Sequence, residues 1–119
     1  MPRILVVDDE VDILHLLSVC LRTKGYIVQT AKTKTEFFDL LISFKPDLII
    51  LDVMLGPDNG REICKQIKAA EHKHIPIILY SAVPTMLANF EECNANDTLD
   101  KPFLLADLYE KVEKVLRVK

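Results

Sequence analysis

No stretch of the 119-residue chain holds the ~20 consecutive apolar residues needed to cross a bilayer, and the amino terminus, MPRILVVDDE, meets acid before a cleavable apolar region could form. The expectation is a cytoplasmic chain with neither a membrane span nor an export signal. Cysteine is sparse as well: Cys20, Cys64 and Cys93 are odd in number, widely spaced and never paired as CxxC. Neither a disulfide framework nor a zinc cage is supported, and packing is the expected use of all three. A basic excess is missing, since the net charge is −3, so nucleic acid is not expected to bind this domain directly. Repeats, low-complexity tracts and linkers are absent too, which leaves one domain over residues 1–119.

What is present is a rhythm. Short apolar runs alternate with longer segments whose apolar residues recur at helical spacing, the pattern of a parallel sheet covered on both faces. Strands are predicted at Arg3 to Val7, Tyr26 to Thr30, Asp47 to Leu51, Ile75 to Tyr80 and Asp97 to Asp100. Helices are predicted at Val11 to Lys24, Thr33 to Phe44, Asn59 to Glu71, Thr85 to Cys93 and Leu104 to Val118. Gly25 reads as a helix C-cap, Pro46 and Pro76 open strands, and Asn59-Gly60 starts the third helix. The first helix is expected to bury Ile13, Leu16, Leu17, Cys20 and Leu21. Right-handed crossovers then give a doubly wound α/β sheet.

In such a sheet, ligands sit beyond the carboxyl ends of the strands. That edge receives Asp8 and Asp9 from the first strand, Asp52 from the third, Ser81 from the fourth and Lys101 from the fifth. Carboxylates gathered at a low-dielectric rim repel unless protons or a cation offset them, and a hard divalent ion such as Mg²⁺ is the simplest remedy. A lysine and a hydroxyl alongside could hold phosphoryl oxygens, with Asp52 as nucleophile. Taken singly, each residue has a plainer reading: Asp8 or Asp9 as a helix cap, Asp52 and Ser81 as turn residues, Lys101 as a solvated charge. His15, His72 and His74 lack carboxylate or cysteine support at metal-ligand spacing and read as surface residues.

The segments ILVVDDE, PDLIILDVML, ILYSA and DKPF, in this order and spacing, resemble the receiver domain of two-component response regulators across essentially the whole chain. The resemblance implies a flavodoxin-like five-stranded sheet of order 2-1-3-4-5 with helices on both faces. It also implies roles. Asp52 matches the phospho-acceptor, Asp9 a direct Mg²⁺ ligand, Asp8 an acid reaching the ion through water, and the Met54 carbonyl the third protein ligand. Ser81 and Lys101 match the groups that hold phosphoryl oxygens, with Lys101-Pro102 expected to be cis. The implied partners are a sensor histidine kinase or phosphotransfer protein upstream, and a protein target docking on the fourth helix, fifth strand and fifth helix; a phosphorylation-linked dimer is compatible. The implied activity is a switch, not turnover of an external substrate.

Three departures stand out. Thr98 occupies the position of the usual switch aromatic, and cannot fill or vacate the same volume. Leu55-Gly56-Pro57 replaces Leu-Pro-Gly, so a different turn is expected. Asn94 stands where glycine is frequent, and asparagine is the next best residue for a left-handed conformation. On the fifth helix, Leu105, Tyr109, Val112 and Leu116 form one stripe and Leu104, Leu108 and Val115 another; one packs, and the other either packs too or docks. An Mg²⁺-dependent hydrolase would want an acid at Met54, and a flavin or nucleotide module would not present VVDDEVD to an anion. A pseudo-receiver that signals without phosphate is the remaining alternative, and the sequence leaves open whether the chain stands alone or belongs to a longer protein.

Overall fold

The computed structural model describes residues 1–69, 71–83 and 87–118. Its centre is the apolar run of each inner strand: β1 (Arg3–Val7), β3 (Leu48–Asp52) and β6 (Ile77–Ser81) are buried along nearly their whole length. Burial on both faces is what a parallel arrangement demands. With β2 (Ile27–Ala31) and β7 (Asp97–Asp100) they form one parallel sheet of order β2-β1-β3-β6-β7. Once the two short strands β4 (Met54–Leu55) and β5 (Asp58–Asn59) are left out of the numbering, this is the expected 2-1-3-4-5 order.

Alternation along the strands builds two cores. Leu5, Val7, Ile49, Leu51, Ile77 and Leu79 face α2 (Lys34–Ser43) and α3 (Gly60–Lys68). Ile4, Val6, Leu48, Ile50, Ile78 and Tyr80 face α1 (Val11–Thr23) and α4 (Leu105–Val118). Thr33 and Asn59 cap α2 and α3 by accepting from Glu36 N and Arg61 N, which satisfies amides that lack an intrahelical partner. Lys101-Pro102 is cis, and Asn94 is left-handed with φ of 65°, both as expected.

The structure corrects several expectations. On α1 the buried stripe is Leu14, Leu17, Ser18, Cys20 and Leu21, and Leu16 is exposed: the helix is rotated by about one residue from the predicted face. Leu55-Gly56-Pro57 does turn differently. Gly56 has φ of +59° and with Pro57 joins β4 to β5 as a two-residue hairpin, whose first central position needs that left-handed glycine.

The fourth helix, predicted over Thr85 to Cys93, is the main miss. Thr85 and Met86 lie outside the described residues; Leu87 is in 3₁₀ conformation, Ala88 and Asn89 form a turn, and a 3₁₀ turn, Phe90–Cys93, precedes β7. Asn89 interrupts the path with a left-handed φ of 54°. Arg61 on α3 then takes the carbonyls that a helix would have used: its Nη1 donates to Ala88 O at 2.8 Å and its Nη2 to Asn89 O at 2.9 Å. Over residues 87–93, the described part of the predicted fourth α-helix, the expected docking surface has 3₁₀ and turn conformation instead. On α4, Leu108, Val112 and Val115 are buried, whereas Leu104 and Leu105 at its amino end are exposed.

Candidate functional site

Parallel pairing brings the carboxyl ends of β1, β3, β6 and β7 to one edge, and polar residues begin there. Asp52 and Ser81 are the last residues of β3 and β6; Asp8 and Lys101 directly follow β1 and β7. The Lys101 amide donates to Ser81 O at 2.9 Å, which ties the last two strand ends together. Asp8, Asp52 and Ser81 are all buried, Asp8 completely.

The carboxylates converge. Asp8, Asp9 and Asp52 each offer an oxygen, and these oxygens lie within 4.8 Å of one another, so the cluster could hold a metal ion. Lys101 Nζ bridges two of the three, donating to Asp8 Oδ2 at 2.9 Å and to Asp52 Oδ2 at 3.2 Å. The exposed Asp9 accepts from Gly56 N at 3.2 Å, so the β4–β5 hairpin steadies it. Asp52 Oδ1 accepts from Met54 N at 3.0 Å, and Ser81 Oγ from Val83 N at 3.0 Å.

Two buried carboxylates in contact do not share one fate. Burial would raise the Asp8 pKa, but hydrogen bonds from Tyr80, Lys101 and the Glu10 amide, with the Lys101 charge, together hold it below its usual value. For Asp52, burial dominates; the Met54 N–H offsets part of it, the Asp8 charge adds to it, and the carboxyl is pushed from 3.8 up to about 6. Burial works against the Lys101 ammonium, yet its hydrogen bond to Asp8 and the charges of both aspartates raise its pKa. Asp8 is thus the firmly ionised member and Asp52 the uneasy one. A second cation would ease it, and an all-oxygen donor set suits a hard one.

Two contributors were not read from the sequence. Tyr80, in the apolar run IILYS, donates its hydroxyl to Asp8 Oδ2 at 2.5 Å. A phenol amid aliphatic residues must find a partner when buried, and that was the available signal. Gly60 matters for a different reason: a Cβ there would stand 2.2 Å from the Asp52 carbonyl oxygen, so α3 can start against β3 only with glycine at this position. A clash of that kind has no sequence signature. His15 and His74 are exposed and His72 half-buried beside Glu71, while Cys20, Cys64 and Cys93 are buried free thiols, in keeping with surface and packing roles.

A doubly wound flavodoxin-like sheet with an acidic pocket and a bridging lysine at its carboxyl edge defines a class of α/β signalling modules. The chain belongs to the response regulator receiver domain family, whose sequence profile matches residues 4–113. It is a module of two-component signalling. A response regulator, MprA of Mycolicibacterium vanbaalenii, is 36% identical over 118 residues, covering 97% of this chain and 50% of that protein. RpaA of Synechocystis sp., described as a DNA-binding dual master transcriptional regulator, is 33% identical over 120 residues, covering 98% of this chain and 50% of that protein. The chain thus spans half the length of these two relatives. Among solved structures, the receiver domain of NtrX from Brucella abortus has a TM-score of 0.90 at 28% identity, covering 98% of this chain and 99% of that one. A two-component response regulator from Clostridium difficile has a TM-score of 0.90 at 29% identity, covering 98% and 97%. Among the described residues no helix is long and apolar enough to cross a membrane.

Proposed function

We propose that this chain is a phosphorylation-dependent switch that accepts a phosphoryl group on Asp52. The observation that carries the reading is the meeting of three carboxylates and one lysine at the carboxyl edge, with Lys101 bridging Asp8 and Asp52. Asp9, Asp52 and the Met54 carbonyl would hold Mg²⁺, with Asp8 acting through water. When bound, the ion supplies the charge neutralisation that lets an anionic donor approach.

An Asp52 carboxylate oxygen attacks phosphorus in line, a new oxygen–phosphorus bond forms, and the bond to the donor's histidine nitrogen breaks with its electron pair leaving on nitrogen. Lys101 leaves Asp52 Oδ2 to pair with a phosphoryl oxygen, and the Ser81 hydroxyl donates to another. Positioning and electrostatics are all this step requires. The donor is a sensor histidine kinase or phosphotransfer protein of the cytoplasm. Output then runs through β7 and the amino end of α4, where Leu104 and Leu105 are exposed, toward a protein target or a second phosphorylated copy.

The test is incubation with acetyl phosphate and Mg²⁺, read by intact mass. The expected product is one acid-stable, base-labile phosphoryl adduct that Asp52→Asn abolishes and that requires the metal. A second reading, signalling without phosphate, is favoured by Thr98 and by the 3₁₀ turn in place of a fourth helix. It becomes the better one if no adduct forms with acetyl phosphate or with a partner kinase.

A further inference from the structure

Tyr80 touches both charged partners of the site. Its hydroxyl donates to Asp8 Oδ2, and its ring lies under Lys101, whose Nζ stands 4.3 Å from the ring centroid. The residue is fully buried, in register with Asp52 on the neighbouring strand, and packs in the core beneath α1 and α4. Three donors hold Asp8: Oδ1 accepts from Glu10 N at 2.9 Å, and Oδ2 is shared between the phenol and Lys101.

That sharing matters once Lys101 is needed elsewhere. Without Tyr80, a departing Lys101 would leave the fully buried Asp8 carboxylate with the Glu10 amide as its remaining donor among the described residues, a cost that would hold the lysine where it is. The phenol is a donor that stays: among the described residues its hydroxyl serves Asp8 alone, and the surrounding core locks its orientation, which in turn orients Asp8. Carboxylates that support a metal site depend on such partners to orient them, and losing one typically weakens metal binding 10- to 100-fold.

We propose that Tyr80 is a positioning residue for the cation and phosphoryl site, acting through Asp8. The inference rests on the reading of the site as an Mg²⁺ and phosphoryl site. It is tested by calorimetric titration with Mg²⁺ of the wild-type chain, of Tyr80→Phe, of Asp8→Asn and of the double variant. Tyr80→Phe is expected to weaken Mg²⁺ binding about tenfold while unfolding remains a single cooperative transition. In the Asp8→Asn background the same change is expected to alter the constant by less than about twofold, because the group it acts on is gone.

An equal loss in both backgrounds would mark a packing effect and overturn the proposal. An unchanged constant in Tyr80→Phe would overturn it as well. A readout independent of the variants is an isotope label at the tyrosine Cζ: the Tyr80 resonance, assigned as the one missing from Tyr80→Phe, is expected to shift with the calorimetric midpoint, and a resonance unmoved at saturation would overturn the proposal. Absence of Mg²⁺ uptake by the wild-type chain would instead defeat the metal reading and this inference with it, whereas uptake with no Tyr80 effect defeats this inference alone.

Discussion

The two ends of the sheet are built from the same strands and handle charge in opposite ways. At the amino ends, polar groups close on themselves in the open: Arg3 N donates to Asp47 Oδ2 at 2.8 Å, the Arg3 guanidinium to Phe44 O at 3.1 Å, and Asn96 Oδ1 accepts from Ile77 N and Lys68 Nζ. At the carboxyl ends, three carboxylates gather around one lysine, whose ammonium pairs with the two buried ones, Asp8 and Asp52. Surface pairs of the first kind contribute little, whereas burial multiplies the cost of every unmatched charge at the second. One end is finished by the chain itself. The other is left short of positive charge, which is the condition for recruiting a cation.

The sharpest way to break this contrast is to remove a cation from each end. Lys101→Met leaves two buried carboxylates without their ammonium and is expected to cost about 3–5 kcal/mol in urea unfolding at pH 7 without divalent ions. Excess Mg²⁺ is expected to restore part of that loss by binding the native state. Arg3→Met at the opposite end is expected to cost about 1 kcal/mol or less, with no response to Mg²⁺. Equal costs would erase the distinction.

A smaller effect of opposite sign follows from Asp52. Its carboxyl is raised from 3.8 to about 6 in the folded chain, so between those values the native state binds more protons than the unfolded one. Stability without metal therefore falls as pH rises through this window and stays low above it. Asp52→Asn removes that fall and is expected to be about 2–3 kcal/mol more stable than the wild type at pH 7. Urea midpoints at pH 4 and pH 7 check it: the gap between the two proteins should open only at the higher pH.

A smaller effect again is expected from a second amino-end group. Asn96→Ala deletes the acceptor of the Ile77 amide and of Lys68, and is expected to cost about 1–2 kcal/mol while leaving Mg²⁺ affinity and adduct formation unchanged. A change in metal affinity would show that the two ends are coupled through β6.

The carboxyl end was the more legible of the two in the sequence. Apolar runs that stop at Asp8, Asp52 and Ser81 mark where each strand leaves the core, and the parallel sheet makes those exits adjacent whatever the details of the helices. What sequence periodicity could not supply was long-range or conformational. Leu16 and Leu14 both fit a helical stripe on α1, and only packing of the helix onto the sheet selects Leu14 for the core. The segment from Leu87 carries apolar residues at helical spacing, but Asn89 adopts a left-handed conformation and Arg61, distant in sequence, takes the carbonyls. The bond from Tyr80 to Asp8 joins residues 72 apart. The hairpin at Gly56 was partly visible, since glycine before proline signals a turn without saying which residues it pairs.

The central claim is that Asp52, alone among the gathered carboxylates, takes the phosphoryl group. Borohydride reduction of the chain after treatment with acetyl phosphate and Mg²⁺ converts a phosphorylated aspartate, an acyl phosphate, to homoserine with loss of phosphate, and peptide sequencing by mass spectrometry then identifies the position. Homoserine is expected at Asp52 and at no other aspartate, and at none without Mg²⁺. Homoserine at Asp8 or Asp9, or its absence from every peptide of the phosphodonor-treated wild type, would contradict it.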